Sequence, residues 1–180
     1  MQQVVLVDEK DREVGTMEKM EAHRQALLHR AFSVFIFNGK GDMLLQQRAV
    51  TKYHSGGLWT NACCSHPRPG EAIQAAAERR LQEELGFTIP LTKAFDFIYK
   101  AYFDNGLTEY EFDHVLTGVY DGDIYPNREE VADIRWLAMA DVRADLEARP
   151  NVYTEWFKIA LQAFLERAAL DVPLGFLPKG

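Results

Sequence analysis

The sequence predicts an α+β fold with a mixed sheet, and the order of its apolar segments is the main observation that predicts it. Short segments of strand length come first, one long helical segment follows, further strand-like segments come next, and amphipathic segments end the chain. This order is typical of an α+β sandwich. A chain of 180 residues can bury its own core. Because neither a repeat nor a linker divides it, we expect one domain over residues 1–180.

Seven segments are predicted to be strands because each is short, apolar and bounded by turn residues. They are residues 4–7, 32–37, 43–47, 58–63, 95–103, 108–120 and 134–137. Residues 38–42 (NGKGD) and 104–106 (DNG) are strong turn sequences. We therefore expect two hairpins, one at each of these turns.

Three segments are predicted to be helical. The first, residues 71–85, follows a Pro-Gly pair and ends before Gly86, which suits the left-handed stop after a last helical turn. Its apolar positions recur every four residues and form a stripe that would face the core. These positions are Ile73, Ala77, Leu81 and Leu85. The other two helices are expected at residues 141–148 and 155–167, and the last of them is amphipathic.

Composition and charge restrict the classes of partner. Hydrophobic residues make up 47% of the chain and charged residues 26%, as in ordinary globular proteins. The net charge of −7 argues against a nucleic-acid-binding face, which is basic, although a local basic cluster can still bind a small anion. No apolar segment approaches the roughly 18 residues of a membrane span, and the acidic N-terminus is unlike a signal peptide. We expect a cytoplasmic protein that binds neither nucleic acid nor membrane; no sequence feature indicates its oligomeric state.

The long helix carries two adjacent carboxylates, Glu83 and Glu84, one turn beyond Arg80. Such a pair is most often part of a solvated, salt-bridged face. The surroundings favour a second interpretation, because Glu71 precedes the pair and a glycine follows it. This spacing resembles the Nudix box, a loop–helix–loop whose carboxylates bind divalent metal beside a diphosphate. Two positions depart from that box: Ser65 replaces its usual first glycine, and Arg80 replaces a metal-binding glutamate. The second departure argues against ordinary Nudix hydrolysis.

Histidines and strand carboxylates form a second group of candidates. His23 and His29 are six residues apart, so on one helix they would point in different directions. They could share a metal only if a turn separated them, and each alone is more often a surface or hydrogen-bonded histidine. Glu109 and Glu111 alternate along a predicted strand and project from one face about 7 Å apart. With Asp113 they could equally be the solvent-exposed face of that strand.

Four segments taken together resemble the type I isopentenyl-diphosphate isomerase family. They are EAHRQALLHRAFS, GLWTNACCSHPRPGE, the modified box and GLTEYEF, in this order, and the resemblance covers residues 4–156. It implies a Nudix-type α/β/α sandwich with a mixed sheet. It also implies an isomerase of isoprenoid biosynthesis, which interconverts isopentenyl diphosphate and dimethylallyl diphosphate through a tertiary carbocation.

The resemblance also implies two metal sites. The residues that match the first ligand set are His23, His29, His66, Glu109 and Glu111. Five nitrogen and oxygen ligands exceed the tetrahedral set of structural zinc. They suit Mn²⁺ or Mg²⁺, and Zn²⁺ can also bind such ligands. In the family a second ion, Mg²⁺, bridges the position of Glu84 to the substrate diphosphate.

The family's catalytic and substrate-binding residues also have counterparts here. The catalytic cysteine matches Cys64 rather than its neighbour Cys63, and the tyrosine partner matches Tyr99. With Glu111, the thiol would supply the acid and base that double-bond movement requires on opposite faces of the substrate. The matched substrate-binding positions are Lys19, Arg48, Lys52, Arg80 and Trp156. Without the resemblance, Trp156 would be read as the core anchor of an amphipathic helix.

Two other functions share parts of this pattern. A Nudix hydrolase of nucleoside diphosphate derivatives would use the same fold and metal-binding helix, but would leave Cys64 and the histidine–glutamate set without a role. A metal-binding or diphosphate-sensing module would bind the same groups without turnover. Release of phosphate would identify the hydrolase. Binding of isopentenyl diphosphate without deuterium exchange would identify the binding module.

Overall fold

The computed structural model describes residues 2–52, 54–103 and 105–169. The strands and helices are β1 (Gln3–Val7), β2 (Glu13–Glu18), α1 (Lys19–Arg24), β3 (His29–Phe37), β4 (Met43–Arg48), β5 (Trp59–Asn61), β6 (Cys63–Ser65), α2 (Ile73–Leu85), β7 (Thr92–Tyr102), β8 (Thr108–Val119), β9 (Val131–Leu137), α3 (Met139–Ala148) and α4 (Glu155–Ala169). A 3₁₀ turn, Pro150–Val152, lies between α3 and α4. Within the described ranges, every helix is too short or too polar to cross a membrane.

The nine strands form one mixed sheet around β3. Strand β3 pairs in parallel with β8 along its whole length, from His29↔Glu111 to Phe37↔Val119. It pairs antiparallel with β6, where Ser33 lies opposite Cys64. Strand β8 continues the sheet to β7, and β4 continues it to β5 and β9. The predicted α+β fold with a mixed sheet is therefore confirmed.

The two faces of β3 belong to two different hydrophobic clusters. Phe32, Val34 and Ile36 pack with the buried side chains of α2, whereas Phe35 and Phe37 pack with those of α4. Because successive side chains of a strand point to opposite faces, a helix covers each side of the sheet. This arrangement is the expected α/β/α sandwich.

Helix α2 has the predicted stripe but begins later than expected, at Ile73 rather than residue 71. Ala77, Leu81 and Leu85 are fully buried and Ile73 packs at the edge of the same cluster. The helix ends as predicted at Gly86, whose φ of 76° is left-handed and whose N–H donates to the Gln82 carbonyl at 3.2 Å.

Several strands differ from their predicted positions. Strand β3 begins at His29 rather than residue 32, and β2 and α1 were not predicted. The expected strand at residues 58–63 is two strands, because β5 pairs with β4 and β6 pairs with β3. Neighbouring strands on two sides thus divide this segment at Ala62.

Both predicted turns join antiparallel strands, but the first hairpin is short. Strands β7 and β8 pair antiparallel from Thr92↔Thr117 to Tyr102↔Thr108; Asp104 of their turn lies outside the described residues. At residues 38–42 the turn forms, and Asn38 N–H donates to the Asp42 carbonyl at 3.0 Å. Among the described residues, however, β3 and β4 share only one register pair, since β8 and β9 are their longer partners.

The end of α2 provides a stability prediction. Gly86→Ala should destabilise the fold because a left-handed φ costs other residues about 1–2 kcal/mol. Its Cβ would also lie 2.7 Å from the Tyr125 carbonyl oxygen, an overlap worth about 1–3 kcal/mol more. Gly70 is the matched control, since it has the same φ of 76° and open space around its Cβ position. Urea unfolding should show a larger loss of the free energy of unfolding for Gly86→Ala than for Gly70→Ala. Equal losses would show that the contact with Tyr125 does not contribute.

Candidate active site

One cavity of about 490 Å³, lined by residues of the sheet, α2 and α4, gathers the predicted site residues. The predicted residues that line it are Lys19, His23, Arg48, Lys52, Cys64, His66, Arg80, Glu84, Tyr99, Glu109, Glu111 and Trp156. His29 is fully buried next to the lining, with its ring centroid 5.0 Å from that of His66. Residues that are far apart in the sequence thus meet at one place.

A turn between α1 and β3 brings the first two histidines together. His23 lies near the end of α1 and His29 begins β3. Between them, Ala26 takes a left-handed φ of 51° and reverses the chain, so that the two imidazole centroids are 4.8 Å apart. The expectation that the two histidines can meet only across a turn is confirmed.

Backbone carbonyls fix the orientation of both rings. His23 Nδ1 lies 2.6 Å from the Lys19 carbonyl oxygen, and His29 Nδ1 lies 2.8 Å from that of Leu27. Because a carbonyl can only accept, each Nδ1 must carry the proton. Each Nε2 then has a lone pair available for a metal, and such a fixed tautomer is the usual support of a histidine ligand.

The carboxylate of Glu111 lies between the histidines. Its Oε1 is 2.9 Å from His66 Nε2 and 3.5 Å from His29 Nε2. All candidate ligand atoms of His23, His29, His66 and Glu111 lie within 4.8 Å of one another, and all four residues are buried. His29 Nε2 has no hydrogen-bond partner among the described residues. A buried imidazole nitrogen with an available lone pair beside a carboxylate is a suitable metal ligand.

The protonation states of this cluster also fit a metal ion. Burial lowers the pKa of His66 to about 3 and holds the pKa of His23 below its ordinary value. Burial opposes ionisation of Glu111, but the neighbouring imidazoles of His29 and His66 outweigh it and hold the Glu111 pKa well below its usual range. Neutral imidazoles and an ionised carboxylate are the ligand forms of a divalent cation. The four residues therefore form a buried candidate metal site.

Glu109 adjoins this cluster through Tyr99. The Tyr99 hydroxyl lies 2.6 Å from Glu111 Oε2 and 3.0 Å from Glu109 Oε2. Burial raises the pKa of Tyr99, and burial with the neighbouring Glu111 raises that of Glu109. The alternative of a solvent-exposed carboxylate face is wrong, since Glu109, Glu111 and Asp113 are all buried. Glu109 itself lies outside the four-residue cluster.

The two cysteines point to opposite faces of β6. Cys63 is fully buried in the α2 cluster, with its Sγ 3.7 Å from Glu84 Oε1. Cys64 lines the cavity, with its Sγ 3.0 Å from Asn61 Oδ1. Burial raises the pKa of both thiols. Only Cys64 is therefore placed to meet a molecule in the cavity.

Cationic side chains line another part of the cavity and are paired with carboxylates. Arg80 contacts Glu84 Oε1 at 2.5 Å and Glu83 Oε2 at 2.6 Å. Lys52 forms an ion pair with Glu130, whose carboxylate is also 3.6 Å from Arg80. The sequence analysis missed Glu130, which precedes β9 and has no local pattern around it that marks a site.

Trp156 belongs both to the core and to the cavity wall. It packs in the α4 cluster, and the Arg48 guanidinium lies 5.0 Å from its ring centroid. His54, also missed from the sequence, contacts its ring edge-on at 5.6 Å. The core-anchor reading and the active-site reading of Trp156 are thus compatible.

Comparisons with known proteins first define the class. The NUDIX domain family model matches residues 27–157. The crystal structure of DR0079 from Deinococcus radiodurans has a TM-score of 0.74 at 18% identity, over 91% of this chain and 99% of that one. The NUDIX domain of Shewanella oneidensis NrtR, solved with ADP ribose, gives 0.59 at 17% identity, over 84% and 99%. The chain is a Nudix protein.

Relatives then define the family within that class. The chain is 53% identical over 155 residues to isopentenyl-diphosphate Delta-isomerase 2 of Photorhabdus laumondii, covering 86% of this chain and 88% of the relative. It is 52% identical over 159 residues to isopentenyl-diphosphate Delta-isomerase 1 of Aromatoleum aromaticum, covering 88% and 90%. The chain belongs to the type I isopentenyl-diphosphate isomerase family.

The histidine cluster provides a prediction about bound metal. His66→Ala should lose most of the divalent metal. Loss of a residue that only hydrogen-bonds to a metal ligand lowers metal affinity roughly 10- to 100-fold, and loss of the ligand itself should lower it more. His114→Ala is the control, since His114 is also buried but pairs with Asp11 at 3.1 Å. Elemental analysis of both purified variants measures the difference. A full complement of tightly bound metal in His66→Ala would refute the site.

Proposed function

We propose that this protein interconverts isopentenyl diphosphate and dimethylallyl diphosphate through a tertiary carbocation, as a step of isoprenoid biosynthesis. The observation that carries the proposal is that the Cys64 thiol and the Tyr99–Glu111 pair line one cavity with a row of cationic side chains. The cationic region suits the diphosphate of a small substrate, and the two proton-transfer groups suit movement of the double bond in its hydrocarbon part.

The reaction needs an acid on one side of the substrate and a base on the other. A proton is added to the terminal alkene carbon, the neighbouring tertiary carbon becomes a cation, and loss of a proton from the next carbon restores a double bond. Cys64 and Glu111 come from β6 and β8, the two strands that pair with opposite edges of β3. We assign these proton transfers to them, with exchanged roles in the reverse direction.

Tyr99 and Trp156 support the two charged stages of this reaction. Tyr99 keeps its proton because its pKa is raised by burial, so it donates a hydrogen bond to Glu111 and assists proton delivery there. Trp156 offers a π face to the carbocation, an interaction worth about 2 kcal/mol or more when desolvated. The buried walls also keep water, which would trap the cation, away from it.

The diphosphate would be held by Lys19, Arg48, Lys52 and Arg80, with Mg²⁺ bound by Glu84. Arg80 and Lys52 are close to carboxylates before substrate binds, so a diphosphate with its cation can exchange places with these ion pairs. Binding of the charged end then supplies the energy that holds the inert hydrocarbon end in position.

The candidate metal site would be completed by Glu109 as a fifth ligand. His23, His29, His66, Glu109 and Glu111 would hold Mn²⁺, Mg²⁺ or Zn²⁺. A bound divalent cation supplies a fixed positive charge that favours the ionised form of Glu111. The chain's own contribution is to orient Glu111 and Tyr99 toward the cavity.

The proposal is tested by incubating the purified protein with isopentenyl diphosphate and Mg²⁺ in D₂O. We expect dimethylallyl diphosphate that carries deuterium in a methyl group, detected by NMR or mass spectrometry. Release of phosphate instead would identify a hydrolase, and binding of the substrate without deuterium exchange would identify a non-catalytic binding module.

The two thiols should differ in activity because they face different sides of β6. Cys64→Ala should lower kcat by at least about 100-fold, which is the lower range for loss of a general acid or base. Cys63→Ala should keep most of the activity. Steady-state kinetics of the two variants decide the assignment, and similar or reversed losses would reject it.

Arg80 separates the isomerase from a Nudix hydrolase. A guanidinium repels an extra cation and offers planar hydrogen bonds to phosphate oxygens. Arg80→Ala should therefore raise KM for isopentenyl diphosphate by roughly 10- to 100-fold, from the loss of hydrogen bonds to a charged group, with a smaller change in kcat. Arg80→Lys should be intermediate.

The natural protein should also leave ADP-ribose and nucleotide sugars intact. Phosphate release and substrate affinity are the two measurements. Rapid hydrolysis of these nucleotides, or an unchanged affinity in Arg80→Ala, would contradict the assignment.

A further inference from the structure

The surroundings of the Cys64 sulfur contain two buried polar residues that the proposed reaction does not use. Asn61 ends β5, and Ser33 lies opposite Cys64 in β3. Their side chains approach the sulfur at 3.0 Å and 3.5 Å. Asn61 is fully buried and Ser33 almost fully buried, so both side chains have little contact with solvent.

The orientation of the Asn61 amide is fixed by its other contacts. Its NH₂ group donates to the Val34 carbonyl at 3.0 Å and the Cys63 carbonyl at 2.9 Å. Both donor hydrogens are thereby used, and the amide oxygen must be the atom that faces Cys64. That oxygen also accepts from the Thr60 hydroxyl at 3.0 Å. Because an amide oxygen can only accept, the Cys64 S–H group must be the donor.

The Ser33 hydroxyl is oriented in the same way by a second buried residue. Its proton is directed to Asp113 Oδ2, 2.8 Å away, and Asp113 is held on the neighbouring strand β8. A hydroxyl has one proton, so Ser33 presents its lone pairs to the sulfur. The thiol has one proton and donates it to Asn61, so Ser33 contacts the sulfur at 3.5 Å without accepting that proton, and the rest of the sulfur faces the cavity.

We propose that Asn61 and Ser33, with Ser33 oriented by Asp113, are positioning residues that hold the Cys64 sulfur and direct its S–H bond. This inference rests on the proposed function insofar as it concerns turnover. The inference accounts for a defined position of the Cys64 side chain at the centre of the three-residue strand β6.

The first experiment measures the S–H bond itself and needs no catalytic activity. Cys63→Ala leaves Cys64 as the only thiol in the chain, so its infrared S–H stretching band can be read without overlap. A donated hydrogen bond weakens the S–H bond and lowers its stretching frequency. We expect the band to move to higher frequency when Asn61→Ala is added to this background. An unchanged band would overturn the proposed orientation, even if the protein is an active isomerase.

The second experiment measures turnover. Ser33→Ala removes one hydroxyl without adding bulk and should lower kcat by about 10- to 100-fold, the scale expected when a reacting group is misplaced. KM for isopentenyl diphosphate and the bound metal should stay near wild type, because neither involves this hydroxyl. Ser33→Thr, which restores a hydroxyl, should recover part of kcat.

Two outcomes would show that Ser33 has only a structural role. One is a wild-type kcat in Ser33→Ala. The other is a joint loss of kcat, substrate affinity and bound metal, which would indicate general disturbance of the site. Asn61→Ala also leaves two backbone carbonyls unpaired, so Ser33→Ala decides the inference if the asparagine variant does not fold. Absence of isomerisation in the natural protein would reject the proposed function and leave the infrared test intact.

Discussion

The parallel pairing of β3 with β8 is the constraint on which the site depends. This register places His29 beside Glu111 and brings Asp113 within hydrogen-bonding distance of Ser33. The other edge of β3 places Ser33 beside Cys64. A slip of one residue would turn the whole carboxylate row of β8 to the α2 side of the sheet. The hydrophobic alternation of β3, shared between two helices, therefore fixes the geometry of the candidate site as well as that of the core.

That geometry has an electrostatic cost. Three imidazoles and the carboxylates of Glu109, Glu111 and Asp113 are buried in a small volume, and buried charges are destabilising unless they are paired or bind metal. Burial shifts the pKa of Glu109 upward and the histidines hold that of Glu111 down, so the pKa values of these two neighbouring glutamates move in opposite directions. A divalent cation would offset this cost by supplying the missing positive charge.

Most of the fold followed from local patterns, whereas the site residues followed from the resemblance to the isomerase family. The stripe of α2, the stop at Gly86 and the alternation of Glu109 and Glu111 are each set within a few residues, and the structure has all three. The division of residues 58–63 could not be predicted this way, because it depends on which strand lies at each side. Glu130 and Asn61 were missed for the same reason. Their roles arise from partners that only the folded chain brings near.

The cationic part of the cavity explains how one scaffold can serve different chemistry. Position 80 lies on α2, one turn before Glu84, and a glutamate there would add a second anion beside the first. Arg80 instead forms ion pairs with Glu83 and Glu84 and lies near Glu130, so it neutralises carboxylates that could otherwise gather several cations around a water molecule. The same guanidinium is then available to a diphosphate. In the proposed reaction, this one difference of charge on α2 would disfavour the hydrolytic arrangement and provide a contact for the diphosphate, while β6 and β8 would supply the proton transfers.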